Sequence, residues 1–414
     1  DEITAHILKV KKSYAFAKIE SVITPSSDRI TPDCPVYLKC GGCVFSHMNY
    51  EAEKKIKADH VAECFKRIGG VSPEFEPIIG ADSDTRYRNK AQYPVATDSG
   101  EIKTGFYSPH SHRVVHCPDC LLQPEEFEGI LGVFSDYIRK YNVSVYDETK
   151  NKGLIRHIYI RKGTASGEIM VCAVINGKKL PAEDELVTML TEKEKSIKSI
   201  IINSNTKDTN VILGDKCRTL WGEDCITDIL CGLKFRISPL SFYQVNRNQA
   251  EKLYNKAKEY ASLTGKETVL DLYCGAGTIG LSMAENAKEI IGVEIVPEAV
   301  EDAKINAEIN GITNARFICS DAARAAEMLK NEGIKPDVII LDPPRKGCSP
   351  EMVSTAARMN PDRIVYVSCD PATLARDCGI FAELGYTVTT ATPVDMFPRT
   401  GHCECVTLLT HSSI

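Results

Sequence analysis

The chain has 414 residues, enough for two or three ordinary domains of ~150 residues. With 43% hydrophobic and 26% charged residues it is not a disordered chain; its longest apolar runs, such as Val338–Leu341, fall far short of the ~20 residues that cross a bilayer, and no basic-then-apolar export segment opens it. A net charge of −6 excludes an overall cationic footprint, so any nucleic acid must meet a local basic patch.

Residues 1–24 alternate apolar and polar side chains on either side of Lys11, Lys12 and Ser13: Ile3, Ala5 and Ile7, then Ala15, Ala17 and Ile19. That period of two predicts a hairpin. Two strands alone bury no core, so the segment is expected to end a small β-domain. The chain opens at Asp1 in mid-pattern, as a piece of a longer protein would.

An α+β body is expected over 25–234. A Cys/Gly-rich stretch from Cys34 to Cys43 leads into a helix with Val61, Phe65 and Ile68 on its apolar face. Strand patterns follow at Tyr87–Val95, Ile102–Tyr107, Ile155–Arg161, Ile169–Ile175 and Ile200–Asn203, interleaved with helical patterns around 125–141 and 182–194.

Over 235–414 the rhythm becomes strictly alternating. Strands at Thr268–Leu272, Ile290–Val293, Ala315–Cys319, Val338–Leu341 and Ile364–Val367 are separated by helical segments, with a further helix at 247–261 ahead of them. This is the pattern of βαβ units in a doubly wound parallel sheet. Thr387–Thr392 and Glu404–Thr410 are expected to complete it as an antiparallel pair, giving a mixed seven-stranded sheet.

The loop after the first of these strands reads Asp271-Leu272-Tyr273-Cys274-Gly275-Ala276-Gly277-Thr278-Ile279-Gly280. Its glycines satisfy G-x-G-x-x-G, which alone is a weak sign of a dinucleotide. Asp271, just ahead of them, would repel a pyrophosphate but suits the ammonium end of S-adenosylmethionine. Glu294, ending the second strand, is placed to accept from two ribose hydroxyls, and Asp321, after the third, to meet the adenine. The same Asp271 and Asp321 are also suited to capping the helices that follow them. Nicotinamide or flavin binding is the competing reading of this loop.

The fourth strand ends Asp342-Pro343-Pro344-Arg345. In methyltransferases of exocyclic amines a related motif carries an aromatic residue where Arg345 stands, so amine methylation is disfavoured. Ligands of such sheets bind beyond the carboxyl ends of the strands. The fifth strand puts Cys369 at that edge, and a nucleophile beside a methyl donor suggests methylation at an unreactive carbon.

Taken together, SFYQVN (Ser241–Asn246), DLYCGAG (Asp271–Gly277), DPPRKG (Asp342–Gly347), YVSCDPATLARD (Tyr366–Asp377) and MFPRTGHCE (Met396–Glu404) resemble the RNA uracil-C5 methyltransferases. SSDRITPDCPVYLKCGGC (Ser26–Cys43) and YRNKAQYPV (Tyr87–Val95) look like that family's iron–sulfur segment and central RNA-binding domain, so the resemblance spans nearly the whole chain. It implies a class I, Rossmann-like methyltransferase domain at 235–414, a central iron–sulfur and RNA-binding domain at 25–234, and at 1–24 the end of an N-terminal β-barrel. It also implies Cys369 as nucleophile, Glu404 as general base, and Gln244, Tyr273, Glu294 and Asp342 as contacts to S-adenosylmethionine. The expected product is 5-methyluridine in structured RNA, with 23S ribosomal RNA favoured over transfer RNA. A non-catalytic RNA-binding iron–sulfur protein is disfavoured by the intact Cys369, Glu404 and Gln244.

Seventeen cysteines in a long chain without an export signal read as reduced thiols, hence a cytoplasmic protein, most of them small core residues. Cys34, Cys40 and Cys43, spaced C-x5-C-x2-C, suit a cluster or a metal. The fourth ligand is Cys120 or Cys117, and alignment with the family favours Cys120; the expected cofactor is a structural [4Fe–4S] cluster, with a four-thiolate zinc site as the competitor. RNA contacts are expected from Arg86, Arg88 and Lys90 on one strand face, from Lys152, Arg156, Arg161 and Lys162, and from stacking on Tyr87, Phe106, Tyr107 and Tyr159. A monomer is expected, with no membrane partner.

Overall fold

The computed structural model describes residues 1–411. Its first two strands, β1 (Glu2–Val10) and β2 (Ala15–Thr24), form the antiparallel hairpin that their alternation predicts, and every residue of both is solvent-exposed. The hairpin's base is tied down by an ion pair between Arg29 and Asp1 at 2.5 Å.

Helix α1 (Tyr50–Cys64) starts at Asn49, whose side chain accepts from Ala52 N–H. It runs on into a π-helical turn over Phe65–Gly69. Its buried face is Glu53, Lys57, Val61 and Cys64, followed by Phe65, whereas Ile68 is exposed, contrary to the expected stripe. A π turn holds more residues than an α turn, which rotates Ile68 away from the interior. Strand β3 (Glu74–Phe75) follows.

The next elements are β4 (Lys90–Asp98), β5 (Glu101–Tyr107), β6 (Val114–His116), α2 (Glu126–Lys140), β7 (Ile155–Lys162), β8 (Ile169–Ile175), α3 (Glu183–Lys193), β9 (Ile197–Ser204) and β10 (Lys216–Gly222). The strands make a seven-stranded sheet in the order β10-β9-β8-β7-β4-β5-β6, with only β8 and β9 parallel. Phe127, Phe134 and Leu186 of the two helices fill one of its faces. From the other face Tyr159, Met170 and Val174 join a core that includes Tyr254 and Val269 far along the chain. Covered on both sides, β8 is an unbroken apolar run.

Hairpin β11 (Ile226–Leu230) and β12 (Leu233–Ile237) straddles the expected boundary at 234/235. Cys231 and Gly232, both at positive φ, make its two-residue turn. Then come α4 (Arg247–Ala261), β13 (Thr268–Leu272), α5 (Thr278–Met283), β14 (Glu289–Glu294), α6 (Pro297–Ile309), β15 (Ala315–Cys319), α7 (Ala322–Asn331), β16 (Val338–Leu341), α8 (Pro350–Arg358), β17 (Arg363–Ser368), α9 (Pro371–Glu383), β18 (Tyr386–Val394) and β19 (Glu404–His411). The sheet order is β15-β14-β13-β16-β17-β19-β18-β3. Strands β13 to β17 are parallel and β19 runs against both its neighbours. The mixed α/β sheet is as expected, but it has eight strands instead of seven. The extra one is β3, which pairs with β18 through Glu74 and Phe75. Val61, Cys64 and Phe65 pack into the core of this same sheet, beside Leu270 and Tyr366. The stretch after the cysteine-rich segment thus folds onto the C-terminal sheet, not the central one.

Candidate active site

The strand order reverses at β13, flanked by β14 on one side and β16 on the other. The helices that follow leave there in opposite directions, opening a crevice beyond the carboxyl ends of the strands. Its volume is 1360 Å³, beyond the 300–1,000 Å³ usual for one small ligand. Gln244, Tyr273, Glu294, Asp321, Asp342, Cys369 and Glu404 all line it.

The glycine-rich turn is built as the motif requires. Tyr273, Gly275 and Gly277 all take positive φ, and Gly277 leads directly into α5. Glu294 Oε2 accepts from Gly275 N–H at 3.1 Å while Oε1 accepts from Ile295 and Val296 N–H, so the turn and the end of β14 are fastened together. Asn306 adds a hydrogen bond to the Ala276 carbonyl. Asp321 caps α7 through Ala323 and Arg324 N–H and also lines the crevice.

Asp271 is the exception. It is buried behind the turn and does not line the crevice. Its Oδ2 accepts from Gly280 N–H at 2.9 Å, and a Cβ on Gly280 would stand 2.7 Å from that oxygen, which accounts for the third glycine of the motif. Oδ1 is buried without a partner, and burial pushes the carboxyl up to about 7. Asp271, expected to meet the ligand's ammonium end, thus stands outside the crevice lining and supports the turn from beneath.

At the other end of the crevice Ser368 pairs with Cys405 across β17 and β19. Cys369 follows β17 directly and Glu404 opens β19, and the two are near enough for the carboxylate to act on the thiol. Cys403 and Cys405 are buried in the core, as expected of packing residues. Burial pushes the Glu404 carboxyl up to about 8, with the Asp342 carboxylate adding to the shift, and burial alone raises Asp342 to about 7. The Cys369 thiol is raised by burial and by Glu404 and Asp342, and lowered by Arg345. Three acidic groups therefore share a poorly hydrated floor on which any added negative charge is costly. Such clusters of perturbed groups in a cleft are typical of reactive sites.

A family model described as tRNA (Uracil-5-)-methyltransferase matches residues 163–412. The chain belongs to that family. It is therefore an enzyme, an RNA (uracil-5-)-methyltransferase. An RNA methyltransferase of Clostridium tetani is 46% identical over 99% of this chain and 89% of its own length, and one of Halalkalibacterium halodurans is 44% identical over 99% and 90%. The crystal structure of the Pyrococcus abyssi tRNA (uracil-54, C5)-methyltransferase with S-adenosyl-L-homocysteine superposes with a TM-score of 0.77 at 27% identity, covering 97% of this chain and 91% of that one. No described helix of this methyltransferase is long and apolar enough to cross a membrane.

Beside the crevice lies a second cavity, of 310 Å³, lined by Cys34, Cys40, Cys43, Cys117 and Cys120. The five thiols surround a space, and among the described residues no three His, Cys, Asp or Glu side chains are placed to hold a metal ion. The Cys117 thiol donates to the Asp119 carbonyl, while the neighbouring Cys117 and the Leu122 and Gln123 N–H groups hold the Cys120 thiol below its ordinary value. Gly42 and Arg88 belong to the walls of both cavities, and Gly41 and Val44 reach the crevice, so the cysteine loop forms part of the active site's rim.

Much of the expected RNA surface is absent. Arg161 is buried, with its guanidinium on the Ser238 and Ser241 carbonyls, and Arg156 is held by those of Asn205, Lys207 and Thr209. Tyr159 is core, and Phe106 packs on Tyr93 with ring centroids 5.1 Å apart. Arg86 takes positive φ before β4 begins and pairs with Asp119, so the expected alternation of Arg86, Arg88 and Lys90 along one strand face does not occur. Lys162 pairs with Glu126, and the Tyr87 hydroxyl donates to the Pro398 carbonyl. Lys152 and Tyr107 do remain exposed. The crevice rim supplies instead Arg345 and Lys346, both exposed and without an ion pair among the described residues, together with the exposed Phe242. Arg345 was visible in the DPPRKG motif, but only the fold shows where its charge stands.

Proposed function

We propose that this enzyme methylates C5 of a uridine in structured RNA, using S-adenosylmethionine and a covalent bond between Cys369 and C6 of the base. The observation that carries the reading is that Cys369 and Glu404 stand close together in a crevice roomier than one small ligand fills. S-adenosylmethionine, when bound, supplies an electrophilic methyl group. The residues fit it: Gly275 and Ala276 of the glycine turn line the crevice with no bulky side chain, and Glu294 stands at the end of β14 with lone pairs for ribose hydroxyls. Tyr273, Gln244, Asp321 and Asp342 complete that half of the crevice, while Asp271 supports it from behind.

The Cys369 thiolate adds to C6, moving electron density onto C5, which is otherwise too weak a nucleophile. Once C5 carries a methyl group, it also retains a hydrogen. Glu404 removes that proton, and elimination expels the Cys369 sulfur. Asp342, on the same floor, is placed to accept from the uracil N3–H.

We favour 23S ribosomal RNA in the cytoplasm, because the cysteine motif resembles that of the ribosomal branches. Transfer RNA is the second reading, supported by the structural likeness to the Pyrococcus abyssi enzyme. Mapping 5-methyluridine in both RNA fractions from cells with and without the gene tests both. Loss from 23S RNA is expected; loss from transfer RNA alone moves the assignment there, and no loss from either overturns the function.

For the cysteine cavity the reading is a structural [4Fe–4S] cluster held by Cys34, Cys40, Cys43 and Cys120. A space ringed by thiols suits a cluster better than a single zinc, whose ~2.3 Å bonds need sulfurs gathered around one point. Protein purified without oxygen is expected to be brown with about four irons per chain. Cys120→Ser should lose them and Cys117→Ser retain them; a colourless protein containing zinc refutes the cluster. The exposed hairpin β1–β2 fits the end of an N-terminal β-barrel.

A further inference from the structure

Val394 is paired with Glu404, so the connection Asp395–Cys403 closes a hairpin whose first returning residue is the carboxylate of the active site. Phe397, Thr400, Gly401 and His402 of this loop line the crevice. The loop has no regular structure of its own and is held from outside by α1 and the cysteine loop, with further bonds from Asn246 and Gln249 at the start of α4 to the Met396 and Asp395 carbonyls and from Tyr87 to the Pro398 carbonyl. Lys57 Nζ lies 2.7 Å from Glu53 Oε1, 2.7 Å from Asp395 Oδ1 and 3.1 Å from the Phe397 carbonyl. Glu53 Oε1 also accepts from Arg399 N–H at 2.7 Å, and the Tyr50 hydroxyl donates to Asp395 Oδ2 at 2.9 Å. Arg399 stands at positive φ, and its carbonyl accepts from Val44 and Phe45 N–H.

Glu53, Lys57 and Asp395 are all but fully buried. Burying three charges is a poor route to stability, since well-packed apolar residues of similar volume often do as well. Here the cost is compounded: two carboxylates share one ammonium, and Glu53 Oε2 has no hydrogen-bond partner. What such an arrangement does supply is a single geometry. None of the three lines the crevice.

We propose that the buried Glu53–Lys57–Asp395 triad is a positioning device for proton abstraction, holding the Asp395–Cys403 loop so that Glu404 meets C5 of the adducted base. The inference rests on the roles assigned above to Cys369 and Glu404. It separates two parts of the reaction: the triad touches neither the glycine turn nor Cys369, so its loss is expected to fall on elimination through Glu404 and to leave donor binding intact.

The test uses the full chain with substrate RNA and S-adenosylmethionine, comparing Lys57→Met and Asp395→Asn with Glu404→Gln. Three quantities are read: RNA in a denaturation-stable methylated adduct, steady-state turnover, and affinity for S-adenosylhomocysteine. Both triad variants are expected to accumulate the methylated adduct as Glu404→Gln does. Turnover should fall by up to about 100-fold, the effect of a misplacement near 1 Å, with product affinity unchanged. Lys57→Met strips the cation from two buried carboxylates; if it does not fold, Asp395→Asn carries the test, because the amide keeps the shape and an oxygen for Lys57. If Glu404→Gln traps adduct while the triad variants lose turnover and product affinity together without trapping any, the triad is merely structural and the inference falls. If Glu404→Gln itself traps none, the base assignment has failed, and this inference with it.

Discussion

Replacing Cys369 with alanine is expected to abolish the covalent RNA complex and to lower turnover roughly 10⁴-fold or more, the scale set by removing a catalytic nucleophile. The crevice offers no substitute. Cys274 also lines it, but its thiol is directed to the Gly275 carbonyl and is pushed far up by burial beside Asp271 and Glu294. Cys403 and Cys405 are buried in the core. RNA carrying 5-fluorouridine makes the measurement direct: fluorine at C5 cannot leave as a proton, so wild-type enzyme should be trapped on denaturing gels and Cys369→Ala should not. Trapping by the alanine variant at the wild-type rate would mean that another group attacks C6.

Glu404→Gln should give the complementary result, an enzyme that forms the adduct and transfers the methyl group but releases product slowly. General-base removal costs roughly 10²–10⁴-fold, so methylated RNA bound through Cys369 should accumulate. The pH profile provides a second readout. A carboxyl raised to about 8 by burial and by Asp342 is protonated below that value and cannot accept a proton. Single-turnover elimination in the wild type should therefore rise about tenfold per pH unit and level off near pH 8, and this rise should be lost in Glu404→Gln. Wild-type turnover by Glu404→Gln would refute the base assignment.

The alternating strands and helices after Phe235 were legible because each is a local pattern: apolar residues at period two or 3.6, with glycines where the backbone must turn. For the same reason Tyr273, Glu294, Asp342 and Cys369 could be placed at one edge of the sheet before any coordinates, since a parallel sheet puts all its carboxyl ends together. Glu404 needed the motif as well, because its position depends on β19 running backwards. The residues that misled were those whose role depends on the partner. Arg156 and Arg161 look like RNA contacts in a basic stretch, yet distant carbonyls claim their guanidiniums. Ile68 was displaced by a π turn, and β3 is too short to carry a pattern at all.

By itself, then, the sequence determined the doubly wound sheet, the crevice at its edge and which residues gather there, since all three follow from local periodicity and from motifs contiguous in the chain. Only the tertiary structure decided that Asp271 sits behind its turn, that the cysteine loop walls the crevice, and that Lys57 braces a loop 338 residues away. The last two are contacts between residues far apart in sequence, and no local pattern encodes which distant carboxylate will find a buried ammonium.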